Sequence, residues 1–551
     1  MDYYHDQPNL AKLESLREKM NWEIERDRFE VLCQLDKLFS EWTGPLPNLR
    51  DIFYPEEIEC LLTELVIIRK KNIGDGQRQR IVEFVVRTGY KDEPEVDKNG
   101  KPILHRTTPI HVTVGHYFPN RNTVLRELFK IYDRFDVNYT GNGVTHFHVA
   151  CQLHETDIAK KFLELGQDPN CCVEQSDRRL GDPPLSLAVL RGLKEMVKLL
   201  LRAGADPNWS SKHGVTCLHV ICMEGDGVLA EMLFEFSKDE YRPIQIDARD
   251  QLGRSVLYWA LYRNNKSVAQ FLLRKGADPN LASNKGLTPL HATCLMMSYE
   301  EEDLWKLFFE INDERGQTVQ IDARDKLGNT PLQLAAANLK PGLIDRLLDR
   351  GADLSSFVFP AEKYFLDDAG IRFLSNSKLR VAYGAVAVVE SLEKRGYELD
   401  RSDALTLMKL FAKYGLFEKP LADLEKFCDE DKLLFAREAK KIMMKDNDPS
   451  LSLYDLILLR PEEAAKLVTC ADYYEFWRSK KIIKLPESFR EACAQHLCEN
   501  LSRGFFRRWT IYPFWELIHY RLPLEICEMI IGQVMNEDLF NIFLAATGQS
   551  S

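Results

Sequence analysis

The sequence predicts an all-α protein: a solenoid of short paired helices with a helical region on either side. Three observations predict it. A helix-ending phrase, Gly204-Ala205-Asp206-Pro207-Asn208, recurs as Gly276-Ala277-Asp278-Pro279-Asn280, with weaker copies at Gly166-Gln167-Asp168-Pro169-Asn170 and Gly351-Ala352-Asp353-Leu354-Ser355. A helix-opening phrase begins at residues 108, 145, 183, 216, 255, 288 and 330, with a shortest step of 33 residues and insertions in four of the six steps. Apolar residues between these phrases keep a three-four spacing, as in Val197-Lys198-Leu199-Leu200-Leu201.

The first 104 residues read as a helical region. Leu13, Leu16, Met20 and Ile24, then Leu32, Leu35 and Phe39, predict helix over 8–40. Gly44-Pro45-Leu46-Pro47 breaks it. Ile58, Leu61, Leu62, Leu65 and Ile68 form one stripe of a helix over 55–71, and another helix covers 79–87. The charged, turn-rich stretch from Lys91 to Gly100 reads as a loop.

Residues 105–356 hold about seven repeats. Thr108-Pro109-Ile110-His111, Thr145-His146-Phe147-His148, Pro183-Pro184-Leu185-Ser186, Thr216-Cys217-Leu218-His219, Ser255-Val256-Leu257-Tyr258, Thr288-Pro289-Leu290-His291 and Thr330-Pro331-Leu332-Gln333 open them. Thr or Ser suits an N-cap, and Pro suits the first helical position, where its missing N–H costs nothing. The glycine of the closing phrase supplies the positive φ of a helix exit. One such unit cannot bury its own apolar faces, so neighbours must stack.

These residues, with Asp322-Ala323-Arg324-Asp325-Lys326-Leu327-Gly328-Asn329, resemble the ankyrin repeat over about 105–355. Two connections, Phe234–Tyr241 and Phe308–Thr318, are lengthened, and both lead into Gln-Ile-Asp-Ala-Arg-Asp, at Gln245 and Gln320. This suggests duplication of a two-repeat unit. From 357 to 449 the phrase decays into degenerate helical pairs. Val386, Val388, Val389 and Leu392 precede Gly396, and Leu405–Tyr414 continues as helix. Asp446-Asn447-Asp448-Pro449-Ser450 marks the boundary to a tail, 450–551, of separate short helices over Leu453–Leu458, Pro461–Val468, Tyr473–Trp477 and Pro486–Leu501.

The tail ends on Leu522-Pro523-Leu524-Glu525-Ile526, with Leu522, Ile526, Met529 and Ile530 on one stripe. Alone, this is an amphipathic helix start: Pro523 fits the first turn, and Glu525 meets the positive end of the helix dipole. After an ankyrin array it resembles the PRANC domain, the F-box-like ending of poxviral and parasitoid-wasp ankyrin proteins. Asp538-Leu539-Phe540 extends the match. Phe84–Tyr90 and Arg106–His111 also resemble the wasp members. The resemblance implies that Leu522, Pro523, Glu525, Ile526 and Ile530 contact the Skp adaptor of a cullin ubiquitin ligase, while the ankyrin face holds a target protein. Leu485-Pro486-Glu487 lacks the Glu-Ile pair at the same offset.

Target contacts are expected at the repeat tips, the exposed and variable surface of a solenoid. Trp209, Lys212, His213, Arg249, Gln251, Asn284, Lys285, Arg324 and Lys326 lie there. Solvated turn residues without a partner are the competing reading for each of them. Trp209 is the best anchor by residue type.

The net charge of −11 argues against nucleic acid as the main ligand. Arg69-Lys70-Lys71 with Arg78 and Arg80 is the one candidate basic patch, against the simpler reading of a solvated helix face. The thirteen cysteines include no Cys-x-x-Cys pair and several apolar contexts, which suits a reducing, cytoplasmic or nuclear setting. The first residues carry no apolar signal segment, and the longest apolar runs, such as Leu453–Leu459, are too short to span a bilayer. His105, His111, His116, His146, His148 and His154 cluster in sequence, but without the spacing of a zinc site. Gly141-Asn142-Gly143 reads as a hairpin turn, not a phosphate loop. With no nucleophile elbow either, the sequence predicts no catalytic residue, metal or cofactor. The functions it leaves open are a ubiquitin-ligase adaptor and a non-catalytic scaffold or inhibitor that sequesters a signalling protein, for example an NF-κB-type factor.

Overall fold

Hydroxyl-capped helix starts and glycine exits cut the repeats into short helices, which pack in two rows within each unit. The computed structural model describes residues 8–22, 24–68, 75–173, 182–241, 243–296, 302–365, 377–417, 429–445 and 448–548. The protein divides into two units, Met1–Ala277 and Asp278–Ser551.

In the first unit, helices α1 (Pro8–Lys19) and α2 (Glu25–Ser40) replace the single helical stretch expected over 8–40. The break at Met20–Ile24 has a cause. Arg28 donates to the Trp22 carbonyl at 2.7 Å and to Glu64 Oε2 at 2.9 Å, which holds the turn open while Leu13, Met20 and Leu32 are all buried. Then come α3 (Pro55–Ile67), α4 (Asp75–Arg87), α5 (Pro109–Val112) and α6 (Arg121–Ile131). A two-residue hairpin follows, β1 (Thr140–Gly141) with β2 (Val144–Thr145) in antiparallel register, Thr140 opposite Thr145. Asn142 and Gly143, at φ 52° and 75°, make the tight turn that pattern needs. Helix pairs α7 (His146–Gln152) and α8 (Thr156–Glu164), α9 (Pro184–Leu190) and α10 (Lys194–Ala203), α11 (Cys217–Glu224) and α12 (Gly227–Phe236), and α13 (Val256–Tyr262) and α14 (Lys266–Lys275) complete the unit.

The rows are formed by alternate helices. α7 packs on α9, and α11 on α13; α10 packs on α12, and α12 on α14. The rows begin before the first repeat, because α3 packs on α5 and α4 on α6. An ionic cluster joins that start to the array: Arg106 pairs with Glu59 of α3 and, at 3.1 Å, with Asp92, whose other oxygen accepts the Tyr139 hydroxyl at 2.7 Å. Within a repeat the apolar stripe is fully used. Met196, Val197, Leu200 and Leu201 of α10 have no exposed surface, roughly 2 kcal/mol of burial each by area.

The second unit resumes with α15 (Pro289–Leu295), α16 (Glu302–Glu314), α17 (Pro331–Ala337) and α18 (Pro341–Asp349), with α15 on α17 and α16 on α18. α19 (Ser377–Lys394) packs on α18 and exits at Gly396, φ 92°, and α20 (Arg401–Lys413) follows. At Gly384 of α19 an added Cβ would lie 2.7 Å from the Leu339 Cβ and 2.9 Å from its carbonyl.

Beyond α21 (Asp429–Ala439), the expected boundary at 446–450 falls on a strand pair, β3 (Met443–Lys445) with β4 (Asp448–Ser452). Residues 446–447 lie outside the described set. Short helices α22 (Leu453–Leu458), α23 (Pro461–Leu467) and α24 (Cys470–Arg478) follow the sequence reading. The helix expected over 486–501 does not stop there: α25 is one 31-residue helix, Glu487–Leu517. Its apolar stripe is interrupted by Glu499, Asn500, Ser502 and Arg503, which are buried polar residues rather than an exposed loop. α26 (Leu524–Ile531) and α27 (Asn536–Thr547) fold back on it. α25 also packs on α19, and Phe411, Phe417, Phe506 and Phe540 interlock with centroids 5.2–6.4 Å apart. Among the described residues, no helix is long and apolar enough to cross a membrane.

Candidate functional site

Each residue of the closing phrase has a separate task. Gly204 and Gly276 sit at φ 102° and 101°, ending their helices. The following amide donates back into the helix, Ala205 to the Leu200 carbonyl and Ala277 to the Leu272 carbonyl, and both alanines are fully buried. The aspartate folds the turn: Asp206 Oδ1 accepts the Asn208 N–H at 2.8 Å, and Asp278 Oδ1 accepts that of Asn280 at 2.8 Å. The asparagine stitches repeats together. Asn208 donates to the Tyr241 carbonyl at 2.9 Å and accepts the Gln245 N–H at 2.8 Å. Asn280 does the same with Thr318 and Gln320, at 2.7 and 2.8 Å. Asn170 does so with Gly204 and Asp206. The sequence gives these asparagines no visible role of their own; the available signal is the duplicated Gln-Ile-Asp-Ala-Arg-Asp that follows two of them.

Three of the clustered histidines, His111, His146 and His148, are buried in the fold, and His219 and His291 share the arrangement of His111. Nδ1 of His111, His219 and His291 accepts the backbone N–H of Thr108, Thr216 and Thr288 at 3.0, 3.2 and 3.1 Å. Nε2 then carries the proton and donates to the carbonyl of Tyr139, Arg254 and Asn329 at 3.0, 3.4 and 3.3 Å. Only the neutral ring fits both roles. Burial pushes His111 and His148 down to about 4 and lowers His219 and His291. His146, fully buried, meets the Thr108 hydroxyl at 2.7 Å. Among the described residues, no group of three or more His, Cys, Asp or Glu side chains could hold a metal ion.

Among the described residues, four tips are matched turns. Ser211, Asp250, Ser283 and Asp325 each donate N–H to the residue four on and accept the N–H of a glycine three on. Those glycines, 214, 253, 286 and 328, have φ of 70–84°. Neighbouring tips share backbone hydrogen bonds, Gln251 N–H to the His213 carbonyl at 2.8 Å and Lys326 N–H to the Lys285 carbonyl at 2.9 Å. The His213 ring also meets Gln251 Oε1 at 3.1 Å. Thus His213 and Gln251 are brought together in the first unit, as are Lys285 and Lys326 in the second. Arg249 and Arg324 each donate to the carbonyl of their own tip glycine, at 3.0 Å. Lys212, Asn284, Lys285 and Lys326 are exposed, and Trp209 is half-buried. The tip acids are consumed internally: Asp250 and Asp325 each accept two turn amides through Oδ1. Two leucines the sequence reading passed over, Leu252 and Leu327, stand 52% and 74% exposed at tips.

Of the candidate basic patch, the two described arginines are taken up by partners within the fold. Arg78 is buried and donates to the carbonyls of Leu65, at 2.8 Å, and Ile68, closing the end of α3. Arg80 pairs with Asp36 at 2.8 Å. Arg69, Lys70 and Lys71 lie outside the described residues.

At the tail, α26 is amphipathic in an unusual way. Cys527 and Ile531 are buried against α25, but Leu522, Ile526, Met529 and Ile530 are 37%, 40%, 67% and 39% exposed. Pro523 is the N-cap of α26, and Glu525 lies exposed in its first turn. The five residues singled out from the sequence are therefore on one accessible stretch. Tyr512, Leu517 and Tyr520 of the preceding helix end and turn are exposed as well.

The family model described as Ankyrin repeats matches residues 185–283 in three copies. The chain is 30% identical over 234 residues to the nuclear factor NF-kappa-B p105 subunit of Gallus gallus, 41% of this chain and 22% of that protein. It is 29% identical over 185 residues to the transient receptor potential cation channel subfamily A member 1 of Homo sapiens, 33% of this chain and 16% of that protein. The chain thus spans less than a quarter of the length of these relatives. A solved ankyrin-repeat domain of Bcl-3 aligns with TM-score 0.34 and 24% identity, over 39% of this chain and 90% of that one. With the capped helix pairs and stitched closing phrases, the three matched copies establish that this chain carries ankyrin repeats, a protein-interaction module.

Proposed function

We propose that the chain is a two-ended adaptor. The repeat tips hold a target protein, and the exposed face of α26 recruits a Skp-type adaptor of a cullin ubiquitin ligase. The observation that carries this reading is the apolar stripe of Leu522, Ile526, Met529 and Ile530, left in water on a helix whose other face is buried. Exposed apolar surface of this kind marks interaction sites. The similarity of Leu522-Pro523-Leu524-Glu525-Ile526 to the PRANC ending supports a Skp-type adaptor as the partner. The effect on a target would be one of local concentration, supplied by attachment at two places. Titrating the full-length chain with recombinant Skp adaptor in a calorimeter tests it: saturable heat, abolished by Glu525→Lys or Ile526→Asp, is the expected result, and no heat with the unmodified chain sinks the reading.

The alternative is a non-catalytic scaffold or inhibitor that sequesters a signalling protein, for example an NF-κB-type factor, through the repeats. The likeness of the repeat segment to the p105 subunit favours it. In that case the tail variants would change neither partners nor effect.

A further inference from the structure

α25 holds α26 at both ends through side chains that donate to backbone carbonyls. At the exit of α26, Arg503 Nη2 donates to the carbonyls of Ile531 and Gly532 at 3.2 and 3.0 Å, and Nη1 donates to Asn536 Oδ1 at 3.2 Å. At the entry, the Trp515 indole N–H donates to the Leu522 carbonyl at 2.8 Å. The two side chains stand three helical turns or so apart on α25, and they bracket the exposed stripe.

The entry is where the backbone needs holding. His519 and Tyr520, successive non-glycine residues, sit at φ 54° and 58°. L-residues seldom adopt that conformation, and it persists only where surrounding contacts fix it. The contacts here converge on Trp515. Its carbonyl accepts the Tyr520 N–H at 3.0 Å, and its ring meets the Tyr520 ring edge to face at 4.8 Å. Its indole then takes the carbonyl two residues further on. The turn, the Leu522-Pro523 step and the start of α26 thereby converge on one residue, whose backbone holds the turn and whose indole holds the Leu522 carbonyl.

We infer that Trp515 is a positioning residue for the docking helix: its indole N–H sets the entry angle of α26, so that Leu522, Ile526 and Ile530 are presented in one arrangement before any partner arrives. The inference rests on the reading of α26 as the adaptor-docking element. Holding a binding surface in its bound form removes ordering cost from the encounter. Arg503 serves the other end, but it is buried and lies 3.7 Å from the buried Glu499, so its removal would disturb the core of the tail. Trp515 is half-buried, and the carbonyl it holds can turn to water, so its bond can be deleted with the fold intact.

Trp515→Phe keeps the ring and removes the donor. The full-length chain, this variant and Ile526→Asp are titrated with recombinant Skp adaptor, their melting temperatures are measured, and amide hydrogen exchange is followed over 522–531. Trp515→Phe is expected to bind roughly five- to tenfold more weakly, the size of one hydrogen bond, with the melting temperature of the parent. Exchange should quicken at the Ile526 and Cys527 amides, which donate to the Pro523 carbonyl at 3.1 and 3.2 Å. Parent-like affinity, parent-like exchange, or a fall in melting temperature that accounts for the weaker binding overturns the inference. If the parent gives no heat, the adaptor reading fails, and the exchange comparison alone decides whether Trp515 sets the helix.

Discussion

Replacing His111 by glutamine should flatten the acid side of the stability curve. The neutral ring accepts from Thr108 N–H and donates to the Tyr139 carbonyl. A proton on Nδ1 would face another N–H. The folded-state value is pushed from 6.5 to about 4 by burial, so the unfolded chain binds the proton first. A depressed histidine contributes full stability above pH 6.5, and that contribution is lost as pH falls from 6.5 towards 4. At pH 5.5 the loss is about 1.4 kcal/mol, and below pH 4 it reaches about 3.4 kcal/mol, from 1.36 kcal/mol per unit. The chain supplies its own proton-free replacement. Gln333 occupies the equivalent place, accepts Thr330 N–H at 2.9 Å and donates to the Val358 carbonyl at 3.3 Å. Urea unfolding followed by far-UV circular dichroism at pH 7.5, 6.5 and 5.5 reads the effect. Between pH 7.5 and 5.5, His111→Gln should lose about 1.4 kcal/mol less than the parent. His146, whose ring lies 4.6 Å from that of His111, is present in both proteins. Equal pH slopes for the two would refute the assignment of the neutral ring.

Two further substitutions, with a third as control, probe the stitching of repeats. Asn280→Ala removes one donor and one acceptor between successive repeats and should cost about 1–2 kcal/mol in the same assay, since each bond contributes about 1 kcal/mol; a loss below 0.3 kcal/mol would show, roughly, that water replaces the amide. Gly286→Ala puts a Cβ 2.9 Å from the Lys326 backbone nitrogen at φ 79°, and should cost at least about 1 kcal/mol. Gly316→Ala, at φ 65° in open space, should pay the conformational cost alone, so the first must exceed the second.

The repeats were legible because their signals are local. The Thr-x-x-His cap and the Gly-Ala-Asp of the closing phrase act through neighbours in sequence, so the described caps and exits stand where the phrases put them. The role of Asn170, Asn208 and Asn280 was hidden because their partners lie one repeat away, beyond any sequence window. α25 was misjudged for a different reason. Glu499, Ser502 and Arg503 each hydrogen-bond Asn536 inside the tail, and Asn500 meets His496 one turn back, so a polar interruption in the apolar stripe looked like a helix end. Pairing outside the local window also takes up Arg78 and Arg80, which find acceptors at the end of α3 and on α2, at Asp36. The exposed face of α26 was placed by its stripe, but the indole that holds its entry lies seven residues upstream and carried no pattern.

The central claim is that the two ends bind independently, and quantitative co-purification tests it most directly. Tagged full-length chain is compared with Ile526→Asp and with a double tip variant, Lys285→Glu with Lys326→Glu, by mass spectrometry of bound proteins. The account predicts that Ile526→Asp loses Skp and cullin while keeping the target, and that the tip variant keeps Skp and cullin while losing the target. Loss of both sets together in either variant, or of neither in both, would contradict it.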